Sequence, residues 1–208
     1  MSTLREMMGE ARADFDEALR IEFESWLWPE TLKDAVEHVL FGGGKRVRAV
    51  LALMVGDALG VGREYVLPWA IAVEMIHTYS LVHDDLPCMD DDDIRRGRPT
   101  CHIVYGEANA VLAGDALLTR AFGVVAAGPW SAEETLALIK VLDQASGGAG
   151  MVGGQVHDIG GHLETLEDVE MMQRLKTGAL ITAAAEGGAL ASEASAHDVK
   201  AIATYGAA

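Results

Sequence analysis

A cluster of aspartates and arginines directly follows an apolar segment, and it limits how this chain can fold. Residues 77–102 read HTYSLVHDDLPCMDDDDIRRGRPTCH, with six aspartates followed at once by three arginines. The preceding residues, 70–82, are mostly apolar and have the spacing of a buried helix. Carboxylates this crowded repel one another unless a cation neutralises them. The cluster therefore predicts a divalent metal site, whereas a solvated acidic helix end is the plainer alternative.

The candidate metal ligands are Asp84, Asp85 and Asp90. Hard oxygen donors without soft ligands nearby favour Mg²⁺, which binds through one or two carboxylates and completes its shell with water and phosphate oxygens. In a regular helix Asp90 would point about 120° away from Asp84. We expect Pro87 to distort the helix, so that Asp90 swings back towards Asp84. His77, seven residues before Asp84, is expected on the same helical face.

The motif DDLPCMD, followed by DDDIRRGRPT, resembles the first aspartate-rich motif of the trans-isoprenyl diphosphate synthases, the farnesyl and geranylgeranyl diphosphate synthase family. The resemblance implies the isoprenoid synthase fold, an all-α helical bundle around a central cavity. It also implies Mg²⁺ as cofactor, a homodimer, and isopentenyl and allylic diphosphates as substrates. The expected reaction is a head-to-tail condensation.

Composition agrees with one all-α domain over residues 1–208. Half of the residues are apolar, aromatic residues are few, and Ala, Leu, Met and Gly are common, which favours packed helices over a sheet. The net charge of −16 argues against nucleic acid or an anionic membrane as a partner. No uninterrupted apolar run reaches the roughly 18 residues of a membrane span, and the N-terminus does not resemble a signal peptide. We expect a cytoplasmic protein whose two cysteines, Cys88 and Cys101, are free thiols.

The periodicity of apolar residues, together with capping residues and glycines, predicts the helices. Ser131 and Glu134 form a capping box at the start of one of them, and the glycines at 42–44 end another. The predicted segments are 3–27, 31–41, 48–60, 68–86, 106–128, 131–146 and the stretches around 155 and 176. The glycines at 148–153 fit a dinucleotide-binding pattern, but they follow a helix where that motif requires a strand, so we discount it.

The GGGKRVR segment, residues 42–48, is a candidate anion site. Lys45 and Arg48 are three residues apart and are expected on one face of a helix whose N-terminus is rich in glycine. Cations are disfavoured at that end of a helix unless an anion binds there. The resemblance implies that Gly44, Lys45 and Arg48, together with His77 and Arg96, bind the diphosphate of isopentenyl diphosphate.

Tyr79 and Ser80 lie five and four residues before Asp84, where the resemblance places the residues that limit product length. A bulky side chain there closes the floor of the cavity in which the prenyl chain grows. Tyr79, with the inserted Pro87 and Cys88, resembles the bacterial farnesyl diphosphate synthases. The alternative product is geranylgeranyl diphosphate. The plainer alternative for Tyr79 is that it is an ordinary core aromatic residue.

Two later motifs complete the expected site. GGQVHDI places Gln155 and Asp158 on one face, and LKTG places Lys176 in an apolar helix, where a lysine is costly without an anion. They resemble the family's GQxxD and KTG motifs. The resemblance implies that Lys176 and Arg95 hold the allylic diphosphate, and that Thr177 and Gln155 line the allylic cavity, with the threonine region stabilising the carbocation.

The last residues, ATYGAA, stand where the family continues into a second aspartate-rich motif. The sequence therefore indicates a C-terminally incomplete synthase whose last helices are missing, or a subunit that needs a partner. The pair His83-Asp84 also resembles that of helical metal phosphohydrolases, which offers a remote alternative. That alternative leaves GGGKRVR and KTG unexplained.

Overall fold

The helix that carries the predicted cluster, α4, lies at the centre of the bundle. The computed structural model describes residues 3–161 and 163–207, and in them α4 contacts helices from both halves of the chain. The elements in chain order are α1 Leu4–Glu24, α2 Glu30–Leu40, α3 Val47–Leu59, α4 Arg63–Asp84, β1 Ile94–Arg95, β2 Arg98–Pro99, α5 Cys101–Tyr105, α6 Glu107–Ala126, α7 Ala132–Ser146, α8 Met151–Gly160, α9 Leu166–Gln173, a π-helical turn Arg174–Gly178, α10 Ala179–Leu190 and α11 Ala196–Gly206.

The all-α prediction is confirmed, with two adjustments. α4 begins at Arg63, five residues before the predicted start, and Pro68 lies within it. The two short strands form a hairpin in which Ile94 pairs with Pro99 and Arg95 pairs with Arg98. The predicted capping box at Ser131 is present, and a second one at Thr3 begins α1.

Small residues let α10 approach its neighbours closely. A Cβ on Gly187 would overlap the indole of Trp69, and one on Gly188 would lie 2.8 Å from the carbonyl oxygen of Ala52. The Trp69 indole N–H donates to the carbonyl of Ala184 at 3.2 Å. Trp69 is fully buried, so its large apolar surface is removed from water on every side. The stretch AAAEGG therefore sets the distance between α10 and the α3–α4 pair.

Arg46 is a buried residue that the sequence reasoning did not single out. It precedes α3 with a left-handed backbone (φ 52°), and its guanidinium donates to Glu74 at 2.9 Å, to Asp16 and to the carbonyl of Leu40. Glu74 is itself 2% exposed inside α4. A buried pair with its hydrogen bonds satisfied costs little compared with one left unpaired. Arg46 thus fixes the start of α3, and with it Arg48.

Within residues 3–161 and 163–207, one helix is long and apolar enough to cross a membrane by length and composition alone, namely α6, with 39% of the relevant window buried. α6 is not an uninterrupted apolar run, because it contains Glu107, Asp115 and Arg120. In the structure α6 packs against α4, α2, α5 and α7. Core helices of globular proteins share this length and composition.

Candidate active site

The loop that follows α4 folds back on the end of that helix. The backbone N–H of Asp90 donates to the carbonyl of Asp84 at 2.8 Å, and the N–H of Asp92 donates to the carbonyl of Asp85 at 3.2 Å. α4 ends at Asp84, two residues before the predicted end at Leu86, and Pro87 lies in the turn after it. Asp90 does return beside Asp84, as predicted, but by a tight turn instead of a distorted helix.

A cavity of about 430 Å³ opens beside this turn. It lies between α4, the start of α3, α8 and the π-helical turn, so four segments distant in sequence meet around it. Its predicted polar lining is Arg48, His77, Tyr79, Ser80, Asp84, Gln155, Lys176 and Thr177. Its apolar lining is Leu81, Met89, Met151, Val152, Val156 and Ile159, with His83 beside them. The structure therefore brings most of the predicted site into one space.

Two polar side chains in this cavity lack partners. The Nε of Arg48 and both amide atoms of Gln155 are buried, and they are the only such side-chain atoms in the described part of the chain without a hydrogen bond. Burying such atoms unpaired costs about 1–3 kcal/mol each. Groups left unsatisfied at a cavity wall indicate a polar ligand that supplies the missing bonds. Arg48 offers a donor suited to phosphate.

Burial and positive charge set the protonation of His77. Burial, reinforced by Arg48, Arg96, Arg95 and Arg46, lowers the pKa of His77 to about 3. The imidazole is therefore neutral near pH 7 and offers one donor and one acceptor nitrogen instead of a charge. Burial also lowers the pKa of Arg48, with Glu74 opposing the shift. Bringing a diphosphate into this space would relieve the same unfavourable charge.

The Asp84 carboxyl fits a site for a divalent cation. Burial raises its pKa to about 6; Lys176 opposes that shift and Asp90 adds to it. A carboxylate that is costly to ionise beside a second carboxylate is stabilised when a cation binds. No group of three or more His, Cys, Asp or Glu residues is poised as a metal cluster within the described residues. Two carboxylates suit Mg²⁺, which takes its remaining ligands from water and substrate.

Asp85 points away from this cavity. Its carboxylate is buried and accepts from Arg95 at 2.6 Å, and both residues line a separate small cavity with Arg96. Burial raises the pKa of Asp85, and its bond to Arg95 opposes that shift. The structure therefore does not bring Asp85 together with Asp84. Cys101 lines the same small cavity as a free thiol, as predicted, and burial raises its pKa to about 11.

The GGGKRVR segment is only partly as expected. Helix α3 begins at Val47, so Lys45 precedes the helix, and the predicted shared helical face of Lys45 and Arg48 is wrong. Lys45 is exposed and lines neither cavity, while Arg48 enters the large one. Arg96 donates to the carbonyl of Gly43 and packs against Gly44, where an added Cβ would lie 2.6 Å from its guanidinium. Gly44 thus provides room for Arg96.

Lys176 does meet an anion, and that anion is Asp158. The two side chains form an ion pair across the edge of the cavity, with Lys176 27% and Asp158 36% exposed. Lys176 and Thr177 lie in the π-helical turn, not in the regular helix that was predicted. Such turns insert one extra residue and are frequent at functional sites. Gly154 of α8 is close enough to the Lys176 backbone that a Cβ there would overlap it.

The predicted floor residues also line the large cavity. The ring of Tyr79 meets that of His83 edge to face at 5.8 Å, and burial raises the pKa of the Tyr79 phenol, with Asp84 adding to the shift. Ser80 donates to the carbonyl of His77 at 2.9 Å. His83 bonds the carbonyl of Val111 through Nε2 at 3.1 Å. That bond gives His83 a packing role, contrary to the phosphohydrolase alternative.

Comparison with known proteins identifies the family of this chain. The family model described as polyprenyl synthetase matches residues 29–208. The chain belongs to the polyprenyl synthetase family. It is 42% identical to the farnesyl diphosphate synthase of Bacillus subtilis, over 97% of this chain and 70% of that enzyme. It is 43% identical to the geranylgeranyl diphosphate synthase of Cyanophora paradoxa, over 85% of this chain and 61% of that enzyme.

A solved structure also matches this polyprenyl synthetase chain closely. The geranyltransferase of Legionella pneumophila superposes with a TM-score of 0.92 at 35% identity, covering 98% of this chain and 74% of that one. The isoprenoid synthase fold expected from the sequence is thereby confirmed. The chain spans between about three fifths and three quarters of the length of these three proteins.

Proposed function

We propose that this chain carries the substrate site of a Mg²⁺-dependent prenyltransferase that condenses isopentenyl diphosphate with dimethylallyl or geranyl diphosphate to give farnesyl diphosphate. The observation that carries the proposal is the large cavity. Its lining includes the charged pair Asp84 and Lys176, the unpaired atoms of Arg48 and Gln155, and a run of apolar side chains from α8. The polar part of this lining suits two diphosphate groups, and the apolar part suits a hydrocarbon chain.

The residues that would hold Mg²⁺ are Asp84 and Asp90. When bound, the metal would neutralise the allylic diphosphate and make it a leaving group. Asp85 was also expected to coordinate the metal, but its bond to Arg95 gives it a supporting role instead. It orients Arg95 on the hairpin beside the site. Arg95 remains the proposed second cation for the allylic diphosphate, together with Lys176.

The two substrates are assigned to opposite ends of the site. Arg48, neutral His77 and Arg96 take the diphosphate of isopentenyl diphosphate, with Gly44 and Lys45 beside them. Lys176 and Thr177 face the allylic substrate from the π-helical turn, and the Gln155 amide faces it from α8. Donors fixed before the substrate arrives stabilise charge without having to reorganise. Lys176 would exchange Asp158 for the diphosphate.

The apolar wall protects the carbocation that forms when the allylic diphosphate leaves. Met89, Met151 and Val152 line the cavity and exclude water that would otherwise quench the cation. The double bond of isopentenyl diphosphate attacks the cation, and the departing diphosphate accepts the proton that is then lost. His77 does not serve as the base, because a pKa of about 3 makes its imidazole a weak proton acceptor. Thr177 and Gln155 present oxygen dipoles to the cation.

The test is a product assay with the purified 208-residue chain. Mg²⁺, geranyl diphosphate and labelled isopentenyl diphosphate are supplied, and the chain length of the product is determined by chromatography. A fifteen-carbon product supports the proposal, and a twenty-carbon product favours the geranylgeranyl alternative. Calorimetry with each diphosphate is run in parallel, because substrate binding without product indicates a partner-dependent subunit. Absence of binding contradicts the proposal. A homodimer in the cytoplasm is the proposed setting, and sedimentation velocity measures the assembly state.

A further inference from the structure

We infer that His38, which lies outside the large cavity, is a positioning residue for the isopentenyl diphosphate site. This inference rests on the proposed function. His38 lies near the end of α2, and its imidazole contacts the β1–β2 hairpin through both ring nitrogens. The hairpin carries Arg96 at its turn. Removing the imidazole should therefore weaken isopentenyl diphosphate binding while leaving allylic diphosphate binding unchanged.

The hydrogen-bond pattern fixes the tautomer of His38. Its Nε2 lies 2.8 Å from the carbonyl oxygen of Pro99, and a carbonyl only accepts, so Nε2 carries the proton. The other nitrogen, Nδ1, is then an acceptor, and Arg98 donates to it through Nη2 at 3.2 Å. The ring also meets Tyr105 edge to face at 5.7 Å. His38 is therefore held in one orientation and joins α2 to the second strand of the hairpin.

The hairpin needs such an anchor because its turn has an unusual backbone. Arg96 and Gly97 are the two central residues, and both have positive φ, 54° and 75°. This is the pattern of a type I′ turn, in which a non-glycine residue such as Arg96 is uncommon. A two-stranded hairpin with two-residue strands has little stability by itself. Contacts from outside must hold Arg96 in place.

Arg95 and Arg96 are held by different supports, although they are neighbours. Arg95 is bound by Asp85 at the end of α4. Arg96 reaches the carbonyl of Gly43 and packs on Gly44, next to the proposed isopentenyl diphosphate site. The His38 contacts act on the strand that leaves Arg96. Loss of His38 should thus move Arg96 and spare Arg95.

The test measures both affinities by calorimetry. His38→Ala removes two hydrogen bonds, and we expect isopentenyl diphosphate to bind roughly tenfold more weakly, which is equivalent to about 1.4 kcal/mol. Geranyl diphosphate with Mg²⁺ should bind within about twofold of the unmodified chain. His197→Ala is the matched control, since that histidine is exposed and lies in α11. It should leave both affinities unchanged.

Single-contact variants separate the two bonds. His38→Asn keeps an acceptor near the Nδ1 position, and His38→Gln keeps a donor near the Nε2 position, so each should lose about threefold. A double-mutant cycle with Arg98→Ala tests the contact, because the charge lost with Arg98 cancels in the cycle. Arg98→Ala should weaken isopentenyl diphosphate binding less in the His38→Ala background than in the unmodified chain.

The outcomes are distinct. Selective loss for isopentenyl diphosphate, with a non-additive cycle, supports the inference. Unchanged affinity in His38→Ala, or equal losses for both diphosphates, overturns it while leaving the proposed function intact. If His38→Ala does not fold, the Asn and Gln variants decide by the same criteria. Failure of the unmodified chain to bind isopentenyl diphosphate overturns both.

Discussion

The backbone amide of Asp90 donates to the carbonyl oxygen of Asp84 at 2.8 Å. This bond helps to close the turn after α4 and brings the backbones of the two proposed metal ligands together. The N–H of Asp91 donates to the carbonyl of Leu86 at 3.2 Å, and Asp91 has a left-handed backbone with φ 54°. These loop N–H groups donate to carbonyls at and just after the end of α4, where a helix leaves its carbonyl groups without partners. The turn is therefore part of the helix terminus, not a free loop.

Asp90→Ala should abolish Mg²⁺-dependent turnover, with a loss of about a thousandfold or more, because one of two metal carboxylates is removed. Its backbone bond to Asp84 does not need the side chain, so the fold should persist. Asp93→Ala is the matched control from the same loop and should keep activity within about threefold. The measurement is the initial rate against Mg²⁺ concentration. Equal losses in the two variants would argue against Asp90 as a ligand.

Tyr79→Ala should lengthen the product beyond fifteen carbons. Tyr79 lines the cavity together with Ser80 and Leu81. Truncation of its side chain to Ala opens space along the growing prenyl chain. Tyr65→Ala, on the same helix but exposed, is the control and should leave the product unchanged. Product length by chromatography is the readout. An unchanged product in Tyr79→Ala would reduce Tyr79 to a packing residue.

Gly187→Ala should destabilise the fold by about 1–3 kcal/mol, because its Cβ would overlap the buried Trp69. Gly9→Ala is the opposite case, since Gly9 lies inside α1 with nothing within 4 Å of an added Cβ. A helix interior favours Ala over Gly by roughly 1 kcal/mol. Urea unfolding followed by circular dichroism measures both changes. A neutral Gly187→Ala would show that α10 and α4 can separate without cost.

Asp84→Asn should stabilise the metal-free chain near neutral pH. The pKa of Asp84 is raised to about 6 from its usual 3.8, so the folded state holds the proton more tightly than the unfolded state. The resulting penalty is absent below about pH 3.8, grows between the two pKa values and is complete above about pH 6. After allowance for solvent we expect about 1 kcal/mol, or a Tm gain of 2–4 °C.

Thermal melts in EDTA check this at about pH 7.5 and pH 4.5. The gain should shrink at the lower pH, and saturating Mg²⁺ should reverse it by stabilising only the unmodified chain. A gain that is independent of pH would instead point to side-chain volume or hydrogen bonding. The same substitution removes a proposed ligand, so stability rises as function is lost.

The sequence predicted the parts of this molecule that depend on local patterns. Helical periodicity and the Ser131 capping box identified α7, and the aspartate, GGGKRVR, GQxxD and KTG motifs, with the residues just before Asp84, named most of the polar cavity lining. The predictions that were wrong concern features that tertiary packing decides. The π-helical turn at Lys176 and the early start of α4 leave no clear local signal, because packing chooses among backbone geometries that are close in energy. Lys45 was misplaced because Arg46 adopts a left-handed backbone to reach buried Glu74.

Some missed residues did have a signal. Glu74 lies in the apolar stretch IAVEMIH, where a lone buried carboxylate requires a cation, and the Arg-rich segment 45–48 was the available source. The partner of Asp85 had no such signal. Adjacent aspartates at the end of a helix point in directions about 100° apart, so only one could face the cavity. Which one did so depended on where α4 ended.

The π-helical turn at Arg174–Gly178 interrupts the continuous helical segment formed by α9 and α10. The turn itself lines the cavity, and α10 after it packs against α3 and α4. The residues before it and those after it are out of phase with a single α-helical repeat, since the turn holds one residue more. Deleting one residue there would restore the regular repeat and remove the π-helical turn that presents Lys176 and Thr177 to the cavity. The Lys176 side chain would then no longer point into the cavity, although Gly187 and Gly188 would keep their packing contacts. This stretch should therefore tolerate changes of side chain far better than a change of length by one.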